Sequence, residues 1–149
     1  MNDKITPLVS VCMITYNHAA YIKTALDGIL KQKISFPIEL IIGEDCSTDD
    51  TRSICQEYQS KYPQVVRLLL PEKNMGIIPN FRQTLQAAKG KYIAYCEGDD
   101  YWTDPLKLQK QVDFMEVNPD FSICCHRAQV LNELRKTLKT PKAFHQLEY

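Results

Sequence analysis

The sequence predicts an α/β fold in which a mostly parallel sheet is covered by helices. Short, nearly continuous apolar runs, typical of strands buried on both faces, alternate with segments that repeat apolar residues at helical spacing. Such alternation requires crossover connections, which place helices on both faces of a parallel sheet. The 149 residues can bury one sizeable core, and 44% apolar with 24% charged residues is ordinary for a globular protein. We therefore expect a three-layer α/β/α domain.

Two strand–helix pairs are predicted in the first part of the chain. Residues 8–14 form the first apolar run, and apolar residues then recur at helical spacing from about 19 to 32. The second strand is predicted at residues 38–43. A helix to about residue 62 should follow, because hydroxyl and carboxylate residues that cap helices come next: Ser47, Thr48, Asp49 and Asp50.

The alternation continues beyond this point. Residues 65–70 are predicted to form a third strand, which Pro71 stops, and the following helix should end at Gly90. Residues 91–96 give the fourth strand. A further amphipathic helix then carries apolar residues at helical spacing: Leu108, Val112 and Met115.

The last part of the chain has a weaker pattern. Asn118-Pro119 breaks the helix, and residues 121–131 are predicted to be a further strand. From residue 132 to 149 the chain is polar and Lys-rich, and no element is predicted there. We therefore predict one domain over residues 1–131, followed by a polar tail.

Charge and composition exclude several classes of protein. Lys plus Arg and Asp plus Glu number 18 each, so there is no basic field to attract nucleic acid. No apolar run approaches the roughly 20 residues that span a bilayer, and the N-terminus lacks a signal-peptide pattern, so a cytoplasmic location is expected. The six cysteines include no Cys-x-x-Cys pair and are predicted to be reduced and mostly buried.

Polar side chains follow three of the predicted strands directly. Ligands of parallel α/β sheets bind beyond the carboxyl ends of the strands, so these residues should converge on one site. The candidates for ligand binding are Thr15, Tyr16, Asn17, Glu44, Asp45, Glu97, Gly98 and Asp99. Asp100 completes the polar segment after the fourth strand.

The acidic segment after the fourth strand points to a divalent cation. Carboxylates suit Mg²⁺ or Mn²⁺, and Mg²⁺ is usually held by one or two protein carboxylates together with substrate phosphates. Asp99 is the first candidate ligand, with Glu97 and Asp100 as further candidates. Taken alone, Gly-Asp-Asp is equally compatible with a turn that caps the next helix. Neither a Gly-x-Gly-x-x-Gly segment nor a P-loop is present to hold phosphate instead.

Three motifs in order resemble one enzyme family. They are Val9-Ser10-Val11-Cys12-Met13-Ile14-Thr15-Tyr16-Asn17, Gly43-Glu44-Asp45-Cys46-Ser47-Thr48-Asp49-Asp50-Thr51 and Gly90-Lys91-Tyr92-Ile93-Ala94-Tyr95-Cys96-Glu97-Gly98-Asp99-Asp100. Together they are similar to the nucleotide-sugar-binding half of a family 2 glycosyltransferase of the Rossmann-like GT-A fold. The resemblance covers about residues 8–131.

The resemblance implies that the candidates for ligand binding at the strand ends bind a nucleotide, and it gives each motif a role. Thr15 and Tyr16 would line the nucleoside pocket, and Asp45 would accept a hydrogen bond from the base, uracil being the usual one. Asp99 matches the closing residue of the Asp-x-Asp motif and would bind the metal on the diphosphate. Glu97 stands at the first position of that motif, where the family has aspartate, and its side chain is one methylene longer. The resemblance therefore implies metal coordination by Asp99 more strongly than by Glu97.

The implied reaction is transfer of a sugar from a nucleotide diphosphate donor, with a uridine diphosphate sugar favoured, to an acceptor hydroxyl. Transfer would be metal-dependent and inverting, and the acceptor would be a carbohydrate or a lipid-linked molecule, with peripheral membrane association through it. In the family the general base is a carboxylate of the acceptor half, which here would fall beyond Tyr149. The alternative is a truncated nucleotide-sugar-binding module that is inactive alone.

Other polar residues are given structural interpretations. Ser47, Asp49 and Asp50 are interpreted as helix caps, Asn74 as a turn residue and Trp102 as a packing residue. No spacing of the three histidines suggests a metal site, so none is assigned a role: His18, His126 and His145.

Overall fold

Four strands form one parallel sheet, as the apolar runs predict. They are β1 (Val9–Thr15), β2 (Ile38–Glu44), β3 (Val66–Leu69) and β4 (Tyr92–Tyr95), and they lie in the order β3-β2-β1-β4. All three strand pairs are parallel. The computed structural model describes residues 6–132 and 137–139. The α/β fold class is therefore confirmed.

Helices cover both faces of the sheet. Helices α1 (Ile22–Leu30) and α2 (Thr51–Lys61) join strands that succeed one another in one direction across the sheet, and they contact each other. Helix α3 (Ile77–Gln86) returns in the opposite direction and packs against β1 and β2. Right-handed crossovers accordingly place α3 on the face opposite to α1 and α2. Helix α4 (Lys107–Val117) follows β4.

The place of each strand in the sheet accounts for its sequence. All seven residues of β1 are buried, because it lies between β2 and β4 and has helices on both faces. Its continuous apolar run follows from that position. Strand β4 lies at the edge, and its side chains alternate between half-buried and exposed.

The prediction of a strand over residues 121–131 is wrong. Only β5 (Val130–Asn132) is a strand there, and it pairs antiparallel with β6 (Thr137–Lys139), outside the four-stranded sheet. Residues 121–129 contain no strand, and the Cys124 carbonyl accepts a hydrogen bond from the Gln111 side chain instead of from a neighbouring strand. An apolar run thus becomes a strand only where a partner backbone is available.

One further expectation differs from the structure. Helix α3 ends at Gln86, four residues before Gly90, with Ala87 as the C-cap. The chain divides into two compact units, Met1–Lys110 and Gln111–Tyr149. The assignment of residues 1–131 to one nucleotide-sugar-binding domain stays a prediction. Strand β6 lies in the segment for which no element was predicted.

Half of the cysteines are buried, fewer than predicted. Burial raises the pKa of Cys12 to about 11 and the pKa values of Cys55 and Cys96 to about 12 each. Cys46 and Cys124 are half-buried and Cys125 is exposed, and all six thiols are free.

We expect native-state alkylation to separate these two groups of thiols. At pH 8 a thiol with a pKa of 11 or above is thiolate in about one molecule per thousand or fewer, and burial also blocks the reagent. Brief iodoacetamide treatment followed by peptide mass spectrometry should therefore modify Cys125 first. The buried thiols should react only in denaturant, and fast native labelling of Cys55 would contradict the packing of α2.

No helix in residues 6–132 or 137–139 combines the length and the apolar character that a membrane span requires.

Candidate functional site

The segments after β1, β2 and β4 meet at one edge of the sheet. The Asp45 amide donates to the Thr15 carbonyl at 3.0 Å, and the Gly98 amide donates to the Ile14 carbonyl at 3.0 Å. Parallel hydrogen bonding thus continues past the strands and carries the polar residues to one place. The convergence expected from the sequence is present in the structure, while the ligand contacts of these residues remain predictions.

The β1–α1 loop is tied to the β2–α2 loop by reciprocal hydrogen bonds. The Asn17 amide donates to Ser47 Oγ at 3.0 Å, and Asn17 Oδ1 accepts from the Thr48 amide at 2.8 Å. The Ala19 amide donates to Asp49 Oδ2 at 3.0 Å. Asn17 has a positive φ of 55°, a conformation that asparagine tolerates better than most residues. Its side-chain oxygen is therefore already used to shape the site.

These contacts change the interpretation of the predicted caps. Asp49 Oδ1 accepts from the Thr51 amide at 2.9 Å, so Asp49 caps α2 and also holds the neighbouring loop. Partial desolvation raises the pKa of Asp49, but hydrogen bonds from Thr51 and Ala19 outweigh it and lower the pKa overall. Asp50 stands at the N-cap without a side-chain capping bond, and Ser47 holds the loop rather than the helix.

Glu44 is fully buried, and its partners lie within the chain. Its Oε1 accepts from the Ser47 amide at 2.7 Å, and its Oε2 pairs with the Arg52 guanidinium. The hydrogen bond to Glu44 raises the pKa of Arg52, so the guanidinium stays charged. The contact of Glu44 with nucleotide stays a prediction, whereas its visible role is to fix the β2–α2 loop.

Asp45 holds the loop that precedes α3. Its side chain is buried, with Oδ1 accepting from the Met75 amide at 2.8 Å and Oδ2 from the Gly76 amide at 2.9 Å. Asn74 Nδ2 donates to the Asp45 carbonyl at 2.9 Å, which supports Asn74 as a turn residue. Gly76 has a φ of 83°, which glycine adopts without strain. Each Asp45 oxygen keeps a second lone pair for a ligand.

Gly98 allows the loop of residues 97–100, here called the acidic loop, to approach β1 closely. A Cβ at this position would lie 2.4 Å from Thr15 Oγ1 and 2.9 Å from His18 Nδ1. Contacts this short require Thr15, His18 or the loop itself to shift, so a side chain here would disturb the approach of the acidic loop to β1. Gly98 thus has a steric role in the loop, while its predicted contact with nucleotide stays a prediction.

Glu97 is oriented by an aromatic pair. The Tyr95 ring packs edge-on against Phe81, with ring centroids 5.0 Å apart, and its hydroxyl donates to Glu97 Oε1 at 3.0 Å. Burial and the hydrogen bond to Glu97 raise the pKa of the Tyr95 hydroxyl, so at neutral pH it stays a donor. Glu97 itself is exposed and has further lone pairs for a ligand.

Asp99 and Asp100 lie where negative charge accumulates. Desolvation raises the pKa of Asp100, and repulsion from Asp99 raises it further. A divalent cation would relieve this repulsion. In the described residues no three His, Cys, Asp or Glu side chains come together to hold a metal by themselves. The donors present fit a cation that takes one or two carboxylates and completes its shell with phosphate.

One site residue was missed from the sequence. His18 Nδ1 lies 3.2 Å from Thr15 Oγ1, and Nε2 lies 3.9 Å from Asp99 Oδ2. A single histidine after a strand carries no spacing signal, so only the fold brings it to the acidic loop. His126 is exposed in the second unit, with Nδ1 2.9 Å from the Arg127 carbonyl, and His145 lies outside the described residues.

The predicted packing role of Trp102 agrees with its surroundings. The indole is half-buried, and Lys107 Nζ lies 4.0 Å above the ring centroid. The Trp102 backbone approaches Gly28 of α1 so closely that a Cβ there would lie 3.0 Å from the Trp102 carbonyl oxygen. Trp102 thus anchors the chain after the acidic loop to α1.

Comparisons with solved structures identify the fold. The TarS 1–349 fragment of S. aureus in complex with UDP aligns with a TM-score of 0.65 and 28% identity, covering 74% of this chain and 32% of that one. The mannosyltransferase PcManGT of Pyrobaculum calidifontis, in complex with GDP-Man and Mn²⁺, aligns with a TM-score of 0.65 and 26% identity, covering 73% and 32%. These are GT-A glycosyltransferases, so the predicted GT-A fold is confirmed.

Sequence relatives point the same way. An uncharacterized protein of Mycobacterium tuberculosis is 48% identical over 125 residues, which are 84% of this chain and 36% of that protein. The putative teichuronic acid biosynthesis glycosyltransferase TuaG of Bacillus subtilis is 40% identical over 110 residues, 73% of this chain and 42% of that protein. The chain thus spans well under half the length of these relatives.

The match extends over almost the whole chain. The model of the family described as "Glycosyl transferase family 2" matches residues 10–147. Two of the three motifs lie within the matched range, and the first, which starts at Val9, begins one residue before it. The chain therefore belongs to glycosyl transferase family 2.

Proposed function

We propose that this chain binds a nucleotide-diphosphate sugar and takes part in the transfer of the sugar to an acceptor hydroxyl. One observation carries the proposal: the segments bearing Thr15, Asp45 and Asp99 are hydrogen-bonded together at the carboxyl ends of β1, β2 and β4. Solved relatives in complex with UDP, UDP-GlcNAc and GDP-Man support a donor of this class. Among these donors we favour a uridine diphosphate sugar.

In this proposal the nucleoside lies over the β1–α1 and β2–α2 loops. Thr15 and Tyr16 line its pocket, and the half-exposed Tyr16 ring offers a face on which a base can stack. Asp45 accepts a hydrogen bond from the base through an oxygen that Met75 or Gly76 also contacts. Asn17 and Glu44 contribute mainly by fixing the loops.

The diphosphate lies at the acidic loop with a divalent metal. Asp99 is the principal ligand, and Glu97 and Asp100 are further candidates. The Mn²⁺ in the complex of the P. calidifontis relative supports this assignment. A bound metal would stabilise the charge that develops on the departing diphosphate. The chain's own residues hold the carboxylates in place, with Gly98 allowing the approach and Tyr95 orienting Glu97.

Direct displacement with inversion at the anomeric carbon requires a general base near the acceptor hydroxyl. We propose that this base is a carboxylate beyond Tyr149, in an acceptor-binding region for a carbohydrate or a lipid-linked acceptor. A hexosyl transfer in polysaccharide biosynthesis, in the cytoplasm and with peripheral membrane association through the acceptor, fits this scheme. A second candidate is a nucleotide-sugar-binding module that is inactive alone. This second candidate is supported by the length of the chain, which spans less than half of its relatives.

A thermal-shift titration with UDP, GDP, TDP and ADP, each with and without Mn²⁺, tests the donor site. A ligand at a hundred times its dissociation constant adds roughly 2.7 kcal/mol of stability. We expect Mn²⁺-dependent stabilisation by one nucleotide, UDP first. No stabilisation by any of the four would refute the proposal. A second assay measures the UDP released when this chain is incubated with a UDP-sugar. Release of UDP would support a transferase, whereas nucleotide binding without release would support the inactive binding module.

Base selectivity gives a test of Asp45. Asp45→Asn keeps one acceptor oxygen for the loop amides but replaces the other with a donor, so it should lower the ratio of UDP to GDP affinity by about tenfold, which corresponds to one buried hydrogen bond. Asp45→Ala is less suitable, because it also leaves the Met75 and Gly76 amides without partners. Calorimetry with both nucleotides measures the ratio, and an unchanged ratio would exclude Asp45 as the base-reading residue.

A further inference from the structure

The His18 imidazole is held between the end of β1 and the acidic loop. Its Nδ1 lies 3.2 Å from the Thr15 hydroxyl, and its Nε2 faces Asp99 Oδ2 at 3.9 Å. The backbone is fixed as well, because the His18 amide donates to Thr51 Oγ1 at 2.8 Å and the His18 carbonyl accepts from the Tyr21 and Ile22 amides. The ring therefore has a defined position at the site.

The Nε2 atom of His18 is available to a ligand. A separation of 3.9 Å from Asp99 is too long for a hydrogen bond, and no other group in the described part of the chain hydrogen-bonds to this nitrogen. The side chain is 24% exposed, so a small anionic group can reach it. The nitrogen is thus directed at the acidic loop without being satisfied there.

The tautomer of His18 depends on whether the Thr15 hydroxyl donates to Nδ1 or accepts from it. A neutral imidazole has one donor and one acceptor nitrogen. When the Thr15 hydroxyl donates to Nδ1, the proton resides on Nε2, and the carboxylate of Asp99 favours a proton on that side of the ring. The structure then presents an N–H group beside the carboxylate that is the first candidate for the metal.

The acidic loop needs such a donor. Glu97, Asp99 and Asp100 form no ion pair with a lysine or arginine among the described residues. A diphosphate that enters there carries negative charge on oxygens that the metal cannot all neutralise. An N–H donor adjacent to Asp99 would bind one of those oxygens.

We infer that His18 is a binding residue for the diphosphate of the donor, with Nε2–H donating to a phosphate oxygen while Thr15 holds the opposite side of the ring. The inference rests on the proposed function and adds a specific phosphate contact to it. Thr15 accordingly acts in part through His18, in addition to lining the nucleoside pocket.

The test compares a nucleoside with its diphosphate. UDP affinity at saturating Mn²⁺ is measured by calorimetry, and uridine affinity by ligand-observed NMR, for the wild type, His18→Ala and His18→Gln. We expect His18→Ala to weaken UDP about tenfold, as loss of one hydrogen bond to a charged group would, and to leave uridine within about twofold. His18→Gln retains an N–H donor of similar reach, so its UDP affinity should return to within about threefold of wild type. If wild type prefers GDP, the pair is GDP and guanosine.

Each other outcome decides against the inference. Equal weakening of UDP and uridine would make His18 a structural residue of the loop, and a loss that disappears when Mn²⁺ is raised would assign it to the metal. Unchanged UDP affinity in His18→Ala, with wild type binding normally, would remove the inference but leave the proposed function standing. Absence of nucleotide binding by wild type would remove both. His126→Ala controls for general effects of histidine loss on Mn²⁺ binding.

Discussion

Asp99→Ala should abolish the Mn²⁺-dependent stabilisation of this protein by nucleoside diphosphates. Asp99 and Asp100 repel each other in a partly desolvated loop. Among residues 6–132 and 137–139, no three His, Cys, Asp or Glu side chains come together to hold a cation by themselves. If Asp99 is the principal metal ligand, as proposed, its loss leaves the metal and the diphosphate without their bridge to the protein. In a thermal-shift titration the gain of roughly 2.7 kcal/mol expected at a hundredfold excess of UDP should fall to below about 0.5 kcal/mol.

The fold should tolerate this change. Asp99 is half exposed, and no hydrogen bond of the loop depends on its side chain among the residues described. The unliganded melting temperature should therefore be unchanged or slightly higher, because the like charge beside Asp100 is removed. Asp50→Ala is a matched control, since Asp50 is an exposed carboxylate at the start of α2 with no capping bond. Retained Mn²⁺ dependence in Asp99→Ala would exclude Asp99 as the metal ligand.

Arg52→Met should be among the most destabilising single changes that touch the candidate site. The Glu44 carboxylate is fully buried, and Arg52 is the charged group paired with it. Removing one partner of a buried ion pair leaves an uncompensated charge, which costs about 3 kcal/mol. For a chain of this size that lowers the melting temperature by roughly 6–12 °C. Chemical denaturation gives the free energy of unfolding directly.

A second change separates the buried charge from the lost packing. In the Arg52→Met background, Glu44→Gln removes the unpaired charge while its side-chain oxygen can still accept from the Ser47 amide. The double variant should therefore recover at least half of the loss. Arg82→Met, which replaces an exposed arginine of α3, should stay within about 0.5 kcal/mol of wild type. A loss in Arg52→Met no larger than in Arg82→Met would show that Glu44 finds another partner or water.

Much of the fold could be predicted because it rests on local patterns. The apolar runs of β1 and β2 are continuous since both strands are covered on two faces, and the amphipathic spacing of α1 follows from packing one side on the sheet. Residues 121–131 show where this reasoning fails. The run is as apolar as a strand, but only Val130–Asn132 pairs with another strand. Its partner, Thr137–Lys139, lies in a polar segment whose pattern predicts no strand.

The site could be predicted in part for a related reason. The carboxyl ends of parallel strands meet at one edge, so Thr15, Asp45 and Asp99 could be grouped without knowing the coordinates. Hydrogen-bond partners could not be predicted in this way. Nothing in the sequence indicates that Asp45 holds the Met75 and Gly76 amides, or that Ser47 and Asp49 bind a loop thirty residues away.

The sequence by itself determined the order of strands and helices, the parallel sheet and the family, because periodicity and contiguous motifs are properties of neighbouring residues. Only the tertiary structure decided which polar side chains are already engaged and which remain open to a ligand. Glu44 and Asp45 are adjacent and both buried acids, yet Glu44 is neutralised by Arg52, while Asp45 is held by two amides. His18 acquires its place beside Asp99 only when β1 and β4 pair. The burial and partners of a polar group are set by residues distant in the chain, and local sequence carries no record of them.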